Sequence, residues 1–327
     1  MSGVLVELGK KLAEKWLTLL VLPGALYLAV GVTANLLGHT HPFDVVRLSD
    51  QVTEWAKAPA AGTFGGQVVV LAAVGAGAAG VGVIAQALGS LIERLYLAAD
   101  WRSWPAGPRA WAACATRRRR KRWRHRRQSA GSAQARAHIA DPDSVEAAQT
   151  AAFAAWAAVY RVGAEEPVRP TWSGDRVHVA ALRLRRDFGL DLGTVWPHLW
   201  LMLPDTPRAE ITSARQALTR ASTLTAWAVL YLPLALWWWP ALIITTALAL
   251  TGHHRFRAVT EVYATLLEAV VRLHAGDLAR QLGLDCVGPL TEANGAILVD
   301  HLTPNQSRPA PPGASSSSGT LNSAPSA

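Results

Sequence analysis

Charge is what this chain has least of. Only 17% of its 327 residues are Asp, Glu, Lys or Arg, against about 25% in soluble domains. The deficit is uneven: residues 16–38, 58–92 and 221–252 contain no Asp, Glu, Lys, Arg or His. A bilayer core about 30 Å thick takes roughly 20 apolar helical residues to cross, and each stretch is that long. Burying all three in a soluble core of this size would leave too little polar surface to cover them. The chain therefore reads as an all-α integral membrane protein.

Cysteine is nearly absent. Cys114 and Cys286 are the only two, and they form neither a CxxC nor a Cys/His metal spacing, which excludes a disulfide framework. They read as reduced thiols facing the cytoplasm. Nucleotide, protease, esterase and calcium signatures are missing as well: there is no GxxxxGK[ST], HExxH, GxSxG or EF-hand loop. No catalytic residue, metal or cofactor is expected. The uncharged spans also argue against an ion- or proton-coupled transporter, which usually carries ionisable groups at mid-membrane.

What is present is concentrated. Residues 117–127 read RRRRKRWRHRR and account for the net charge of +9; outside that run, bases and acids are equal in number. Arg117, Arg118, Arg119, Arg120, Lys121, Arg122, Arg124, Arg126 and Arg127 are the candidate contacts to anionic lipid or nucleic acid. Such a run holds the end of a span inside the cell. It also attracts anionic headgroups, at roughly 1 kcal/mol per basic residue. Nucleic acid is the weaker option, because Trp123 is the only aromatic in the run and stacking needs more.

The pattern divides the chain as follows. Residues 1–16 form an amphipathic lead-in helix and 17–37 a first span, which Pro23 and Gly24 kink. Lys10, Lys11 and Lys15 before the apolar run imitate a signal peptide, but the run is too long and lacks a small-residue cleavage site. Residues 38–65 are an external loop, and 67–92 a second span. Residues 93–128 are a basic Trp/Arg juxtamembrane segment and 129–220 a cytoplasmic helical domain. Helices are expected there from Ser144 to about Val162 and over 174–188, followed by an apolar connector, WPHLWLMLP. The lysines before the first span and the arginines after the second orient the N-terminus and the basic domain to the cytoplasm.

Residues 221–252 are long for one crossing and short for two. Arginines flank both ends, so a tight membrane hairpin turning at Trp237, Trp238, Trp239 and Pro240 is favoured; one long tilted span is the alternative. Residues 253–302 carry a cytoplasmic amphipathic helix with an apolar stripe of Val259, Val262, Tyr263, Leu266, Val270 and Leu273. It should pack on the cytoplasmic domain. Residues 303–327 are a Pro/Ser-rich disordered tail.

Three smaller motifs require weighing. Gly75, Gly77 and Gly80 fit GxGxxG, with Asp100 twenty residues on, the outline of a dinucleotide-binding turn. The all-round apolar residues that follow favour a glycine-rich membrane helix instead. On such a helix Ala72, Ala76 and Gly80 form one small-residue ridge, and Ala78 and Gly82 another, suited to close packing within the chain or in a homo-oligomer. His39, His41 and Asp44 form HxHxxD, too sparse for a metal site.

The stretches RPTWSGDRV (169–177), GLDLGTVWPHLWLMLPDTPRAEIT (189–212) and LYLPLALWWWP (230–240) resemble uncharacterised multi-pass membrane proteins of high-GC bacteria. The resemblance implies a bacterial cell membrane and carries no activity. Together these features lead to the expectation of a non-enzymatic membrane anchor or scaffold that contacts anionic lipid and an unknown protein partner. A passive channel or transporter of oligomerised spans is the alternative, and a nucleotide-binding enzyme using Gly75–Gly80 a more distant one.

Overall fold

A computed structural model describes residues 7, 21–39, 42–57, 63–284, 288 and 290–303. Every regular element among them is helical. The lead-in helix expected at 1–16 and the tail expected at 303–327 lie almost wholly outside this set.

Helix α1 (Leu22–Leu37) is apolar except for Thr33 and Asn35, with Pro23 in its first turn. Proline is tolerated there because the missing N–H has no partner to lose. Gly24 is not a kink but a contact: a Cβ on it would lie 2.0 Å from the Ala78 carbonyl oxygen. Helix α2 (Val45–Ala56) occupies the stretch expected to be a loop. The Asp44 carboxylate accepts the Arg47 N–H at 3.0 Å and starts it. Its Val45, Val46 and Val52 are exposed.

Helix α3 (Phe64–Leu97) is capped by the Thr63 hydroxyl, which accepts the Gly66 N–H. Its 34 residues extend roughly 51 Å at 1.5 Å per residue, so it overruns the expected span at both ends. Among the described residues it is the one helix long and apolar enough to cross a bilayer; α1 has 16 residues and falls short of that length.

A 3-10 turn at Trp101–Ser103 leads into α4 (Ala106–His138). This one helix carries the whole basic run, so the boundary expected at 128/129 falls inside it. Helix α5 (Val145–Tyr160) folds back on it. Ala130, Ala133 and Ala137 face Ala152, Ala155 and Val159, with Trp123 at one end of the seam.

Helix α6 (Trp172–Phe188), α7 (Leu192–Met202), α8 (Asp205–Tyr231), α9 (Pro240–Gln281) and α10 (Glu292–Leu302) complete the chain. The WPHLWLMLP stretch is not a connector: most of it is α7, which carries Pro197 inside it. A 3-10 segment at Leu232–Leu236 reverses the chain between α8 and α9, so the stretch 221–252 runs out and back. The two arms touch closely. A Cβ on Gly252 would meet the Thr225 hydroxyl at 2.6 Å, and Leu218, Ala221 and Phe256 share one cluster.

The helix expected at 257–283 is the second half of α9. Its buried stripe is Phe256, Thr260, Ala264, Leu267, Val271, Ala275 and Leu278, which follows the helical period. Val262 and Leu273, assigned inward from sequence, are exposed. Small and hydroxylated residues made the true stripe hard to see, because Ala264 and Thr260 seat a helix against a neighbour without looking apolar. The C-terminal part of the stripe, Val271, Ala275 and Leu278, packs with Leu184 of α6, Val195 and Leu199 of α7, Ile211 of α8 and Leu298 of α10 in the largest core cluster among the described residues. Gly295 lets α10 seat on the end of α6, where a Cβ would lie 1.7 Å from the Phe188 carbonyl oxygen. Gly189 ends α6 at φ 65, a left-handed value that favours glycine.

A second, smaller cluster joins the other end of the molecule. Tyr27 and Val30 of α1, Val81 and Ala85 of α3, Trp227 and Tyr231 of α8, and Ile244 and Leu248 of α9 pack together. The apolar residues on the outside of these same helices are exposed: Val69 at 67%, Leu71 at 72% and Ile243 at 60%.

Candidate functional site

A densely connected polar joint lies where the apolar helix α3 meets the basic helix α4. A helix end leaves its last carbonyls without intrahelical partners. At the end of α3 those carbonyls are taken by side chains from the RPTWSGD stretch. The Thr171 hydroxyl donates to the Tyr96 carbonyl, and the Arg169 guanidinium donates to the Leu97 carbonyl at 3.2 Å. The approach requires a glycine, since a Cβ on Gly174 would lie 2.4 Å from the Leu97 oxygen. Thr171 also caps α6, its hydroxyl oxygen accepting the Gly174 N–H at 3.1 Å.

Arg119 of α4 plugs the same joint. Its Nη1 donates to the carbonyls of Arg169 at 2.6 Å and Thr171 at 2.7 Å, and to the Asp175 carboxylate; its Nη2 donates to the Val162 carbonyl at 2.9 Å. Asp175 Oδ1 in turn accepts the N–H groups of Val168 at 3.0 Å and Arg169 at 2.7 Å. Both partners are largely buried, with side-chain exposures of 14% and 7%. Burial pulls the Arg169 guanidinium below its ordinary range, while the charges of Asp175 and Asp100 act against that fall. Arg257 of α9 lies over the Trp172 ring at 4.3 Å. Its pKa is lowered by burial and then by the charge of Arg119.

The basic run therefore splits between two sides of α4. On the inward side, Arg119 sits in the joint, Arg120 and Arg124 pair with Glu166 at 3.1 Å and 2.6 Å, and Arg126 donates to the Ala158 carbonyl at 3.0 Å. Arg127 lies over the Trp123 ring at 5.0 Å. Trp123 itself is buried and its indole N–H donates to the Gly163 carbonyl, so it offers no stacking face to a nucleic acid base. These five cations all have partners within the chain; Arg119 and Arg120 are partly buried by them, whereas Arg124, Arg126 and Arg127 stay exposed. Arg117, Arg118, Lys121 and Arg122 follow the helical spacing i, i+1, i+4, i+5 on the opposite face. They are exposed and have no partner among the described residues. Trp111 lies on the same face and is exposed too.

The small-residue ridges change places in the same way. Ala72, Ala76 and Gly80 are exposed, and a Cβ on Gly80 would meet nothing within 4 Å. Packing inside the chain uses the other ridge, Ala78, Gly82, Ala85 and Gly89. A Cβ on Gly89 would lie 3.0 Å from the Thr223 hydroxyl of α8.

The dinucleotide outline does not survive. Gly75, Gly77 and Gly80 lie inside the continuous helix α3, where the backbone N–H groups are committed to the helix rather than turned toward a pyrophosphate. Of HxHxxD, His41 lies outside the described residues, and Asp44 serves as the start of α2. Among the described residues no group of three or more His, Cys, Asp or Glu could hold a metal.

Sequence reasoning missed the joint. It treated RPTWSGDRV only as a likeness, although Thr171 three residues before Gly174, with Asp175 in the first helical turn, is a capping pattern. What the described fold defines is an all-helical chain with an apolar bundle at one end, a polar helical body at the other, and a buried arginine joint between them. No protein-family model, curated protein or solved structure matches the chain.

Proposed function

We propose that this chain is a multi-pass, non-enzymatic membrane anchor or scaffold of a bacterial cell membrane. In this reading α1, α3 and the α8–α9 hairpin sit in the bilayer. The N-terminus and the basic body lie in the cytoplasm against anionic headgroups, leaving α5, α7 and α10 open to a protein partner. The observation that carries it is the inverted surface of the apolar bundle, where Val69, Leu71 and Ile243 face outward and Ala78, Gly82 and Ala85 face inward. Such an arrangement suits a lipid environment, in which small residues bring helices together and large apolar ones meet acyl chains.

Two further features support it. The Trp238 indole N–H donates to the Pro42 carbonyl at 2.9 Å, and Phe43 packs edge-on to Trp239 at 5.9 Å. The far ends of α1 and the hairpin thus share one aromatic level, as residues at a bilayer interface do. The outward cations of α4 fit the opposite, cytoplasmic surface. The joint fixes that helix to the end of α3, so a partner bound to the body would be held at a set distance from the membrane.

The test is a labelling experiment in whole cells. Cys114 should react with an impermeant maleimide only after permeabilisation. A cysteine placed at exposed Asp50 in α2, in a background lacking the native thiols, should react in intact cells. Release of the chain from membranes by alkaline carbonate would overturn the proposal.

A second reading rests on the exposed ridge of Ala72, Ala76 and Gly80, which suits self-association and, from there, a passive pore. Gly80→Leu should convert an oligomer to a monomer in detergent by sedimentation. A wild-type monomer would remove this reading.

A further inference from the structure

A groove of 650 Å³ runs along α8 between α3 and α9. Its wall changes character along its length. Gly82 and Ala85 of α3, with Leu224 and Trp227 of α8, line one end; Gln216 and Arg220 of α8 and Arg255 of α9 line the other. From Trp227 to Gln216 is eleven residues of helix, roughly 16 Å at 1.5 Å per residue. The hollow runs beside the contact that Ala85 makes with Trp227.

The cations at its mouth are unspent. Nearby Arg215 is paired with Glu93 at 2.9 Å, and the Thr219 hydroxyl donates to that same carboxylate at 3.1 Å. Glu93 is thereby satisfied by two neighbours. Arg220 and Arg255 have no carboxylate partner among the described residues and stay exposed. Gln86, on the α3 wall, adds an amide donor. A slot that is mainly apolar at one end and doubly cationic at the other matches an amphiphile with a negative head. The volume lies within the range of roughly 300–1,000 Å³ usual for small-molecule sites.

We infer that this groove is a binding site for one anionic phospholipid, its phosphate held by Arg220 and Arg255 and its upper acyl chain laid along Leu224 and Trp227. The inference rests on the membrane placement proposed above and deepens it. The groove opens where the charge-free part of α8 gives way to Arg220, the depth at which a headgroup meets acyl chain. It is distinct from the outward face of α4, none of whose residues line it.

The full chain, delipidated in detergent, is titrated with phosphatidylglycerol, phosphatidylcholine or inorganic phosphate and followed by native mass spectrometry. One phosphatidylglycerol should be retained in preference to phosphatidylcholine. Replacing both cations (Arg220→Gln with Arg255→Gln) should weaken it roughly 30-fold, as loss of two basic headgroup contacts would. Leu224→Trp, which fills the apolar half, should weaken both lipids. Removing the four outward cations of α4 together should leave the single tight lipid in place. Equal retention of both lipids, or unchanged selectivity in the double variant, would overturn the site. So would full competition by inorganic phosphate, which would make the occupant a free anion. Flotation of the same samples with liposomes reads membrane placement separately: a chain that floats but binds no selective lipid loses this inference and keeps the placement.

Discussion

At one end of the molecule the buried side chains are Leu184, Leu199, Ile211, Val271, Leu278 and Leu298. At the other the buried residues are Gly24, Ala34, Leu37, Ala78, Gly82, Ala85 and Gly89, with Trp227 and Tyr231 beside them. The first end gains stability by removing large apolar side chains from water, at about 25 cal/mol per Å². The second leaves many of its large apolar side chains outside and brings backbones together, which stabilises helices through close contact when the surroundings are themselves apolar. The same chain thus follows opposite packing rules on either side of the Arg119–Asp175 joint. The contrast teaches that burial must be judged separately at each end.

The largest effect should come from breaking the joint. Asp175→Ala leaves Arg119 buried without its carboxylate and frees the N–H groups of Val168 and Arg169. Stranding one member of a buried ion pair costs about 3–5 kcal/mol. Thermal unfolding in detergent should fall accordingly. Limited proteolysis should open the segment 162–171 while the apolar bundle stays protected. Loss of both ends together would mean that the joint carries the bundle as well.

Next in size is a pair of leucines, one at each end. Leu199→Ala, at 0% exposure in the polar body, should cost about 2–5 kcal/mol, as buried Leu→Ala changes do. Leu71→Ala, at 72% exposure on α3, should change stability by no more than about 0.5 kcal/mol. An equal cost at both positions would mean that protein, not lipid or detergent, covers α3.

Much of this division was legible in the sequence, for reasons tied to particular residues. Three charge-free stretches announced the apolar helices, and the turn expected at Trp237–Trp238–Trp239–Pro240 begins earlier, at the 3-10 segment Leu232–Leu236, with Pro240 already opening α9. The basic run announced α4 but not its two faces. Arg119 and Arg122 are the same residue type three positions apart, and only the placement of Asp175, 56 positions on, turns one inward. The ridge of Ala72, Ala76 and Gly80 and the ridge of Ala78, Gly82 and Ala85 are equally small. Which one packs is decided by where α1 and α8 cross, a long-range fact absent from local spacing. The joint was least visible, since its ligands are mostly backbone carbonyls that any residue supplies.

Glycine substitutions should sharpen the contrast at the apolar end, where adding volume is the damaging change. Gly24→Ala places a methyl 2.0 Å from the Ala78 carbonyl oxygen. Backbone must move to admit it, at a cost of about 1–3 kcal/mol, read as a lower unfolding temperature in detergent. Gly80→Ala meets nothing and removes backbone freedom from the unfolded chain. It should be neutral or stabilise by up to about 1 kcal/mol. A destabilising Gly80→Ala would indicate that a second copy occupies that ridge.

The smallest effect is a pH dependence confined to the polar end. His178 of α6 is half-buried, and its pKa is lowered from the ordinary 6.5 first by burial and then by Arg169, with Arg185 adding to the fall and Asp175 and Glu165 opposing it. His253 of α9 is lowered as well, by burial and the charges of Arg257 and His254. In both cases the unfolded chain binds the proton more readily than the folded one. Stability therefore rises with pH through the interval between the lowered folded value and 6.5, and falls as the medium is acidified through it. Unfolding temperature should drop below about pH 6.5, and His178→Gln should flatten part of that slope without altering stability at pH 8. The apolar bundle offers no titrating group over this range among its described, charge-free segments. A pH slope that persists unchanged after both histidines are replaced would show that neither His178 nor His253 is its source.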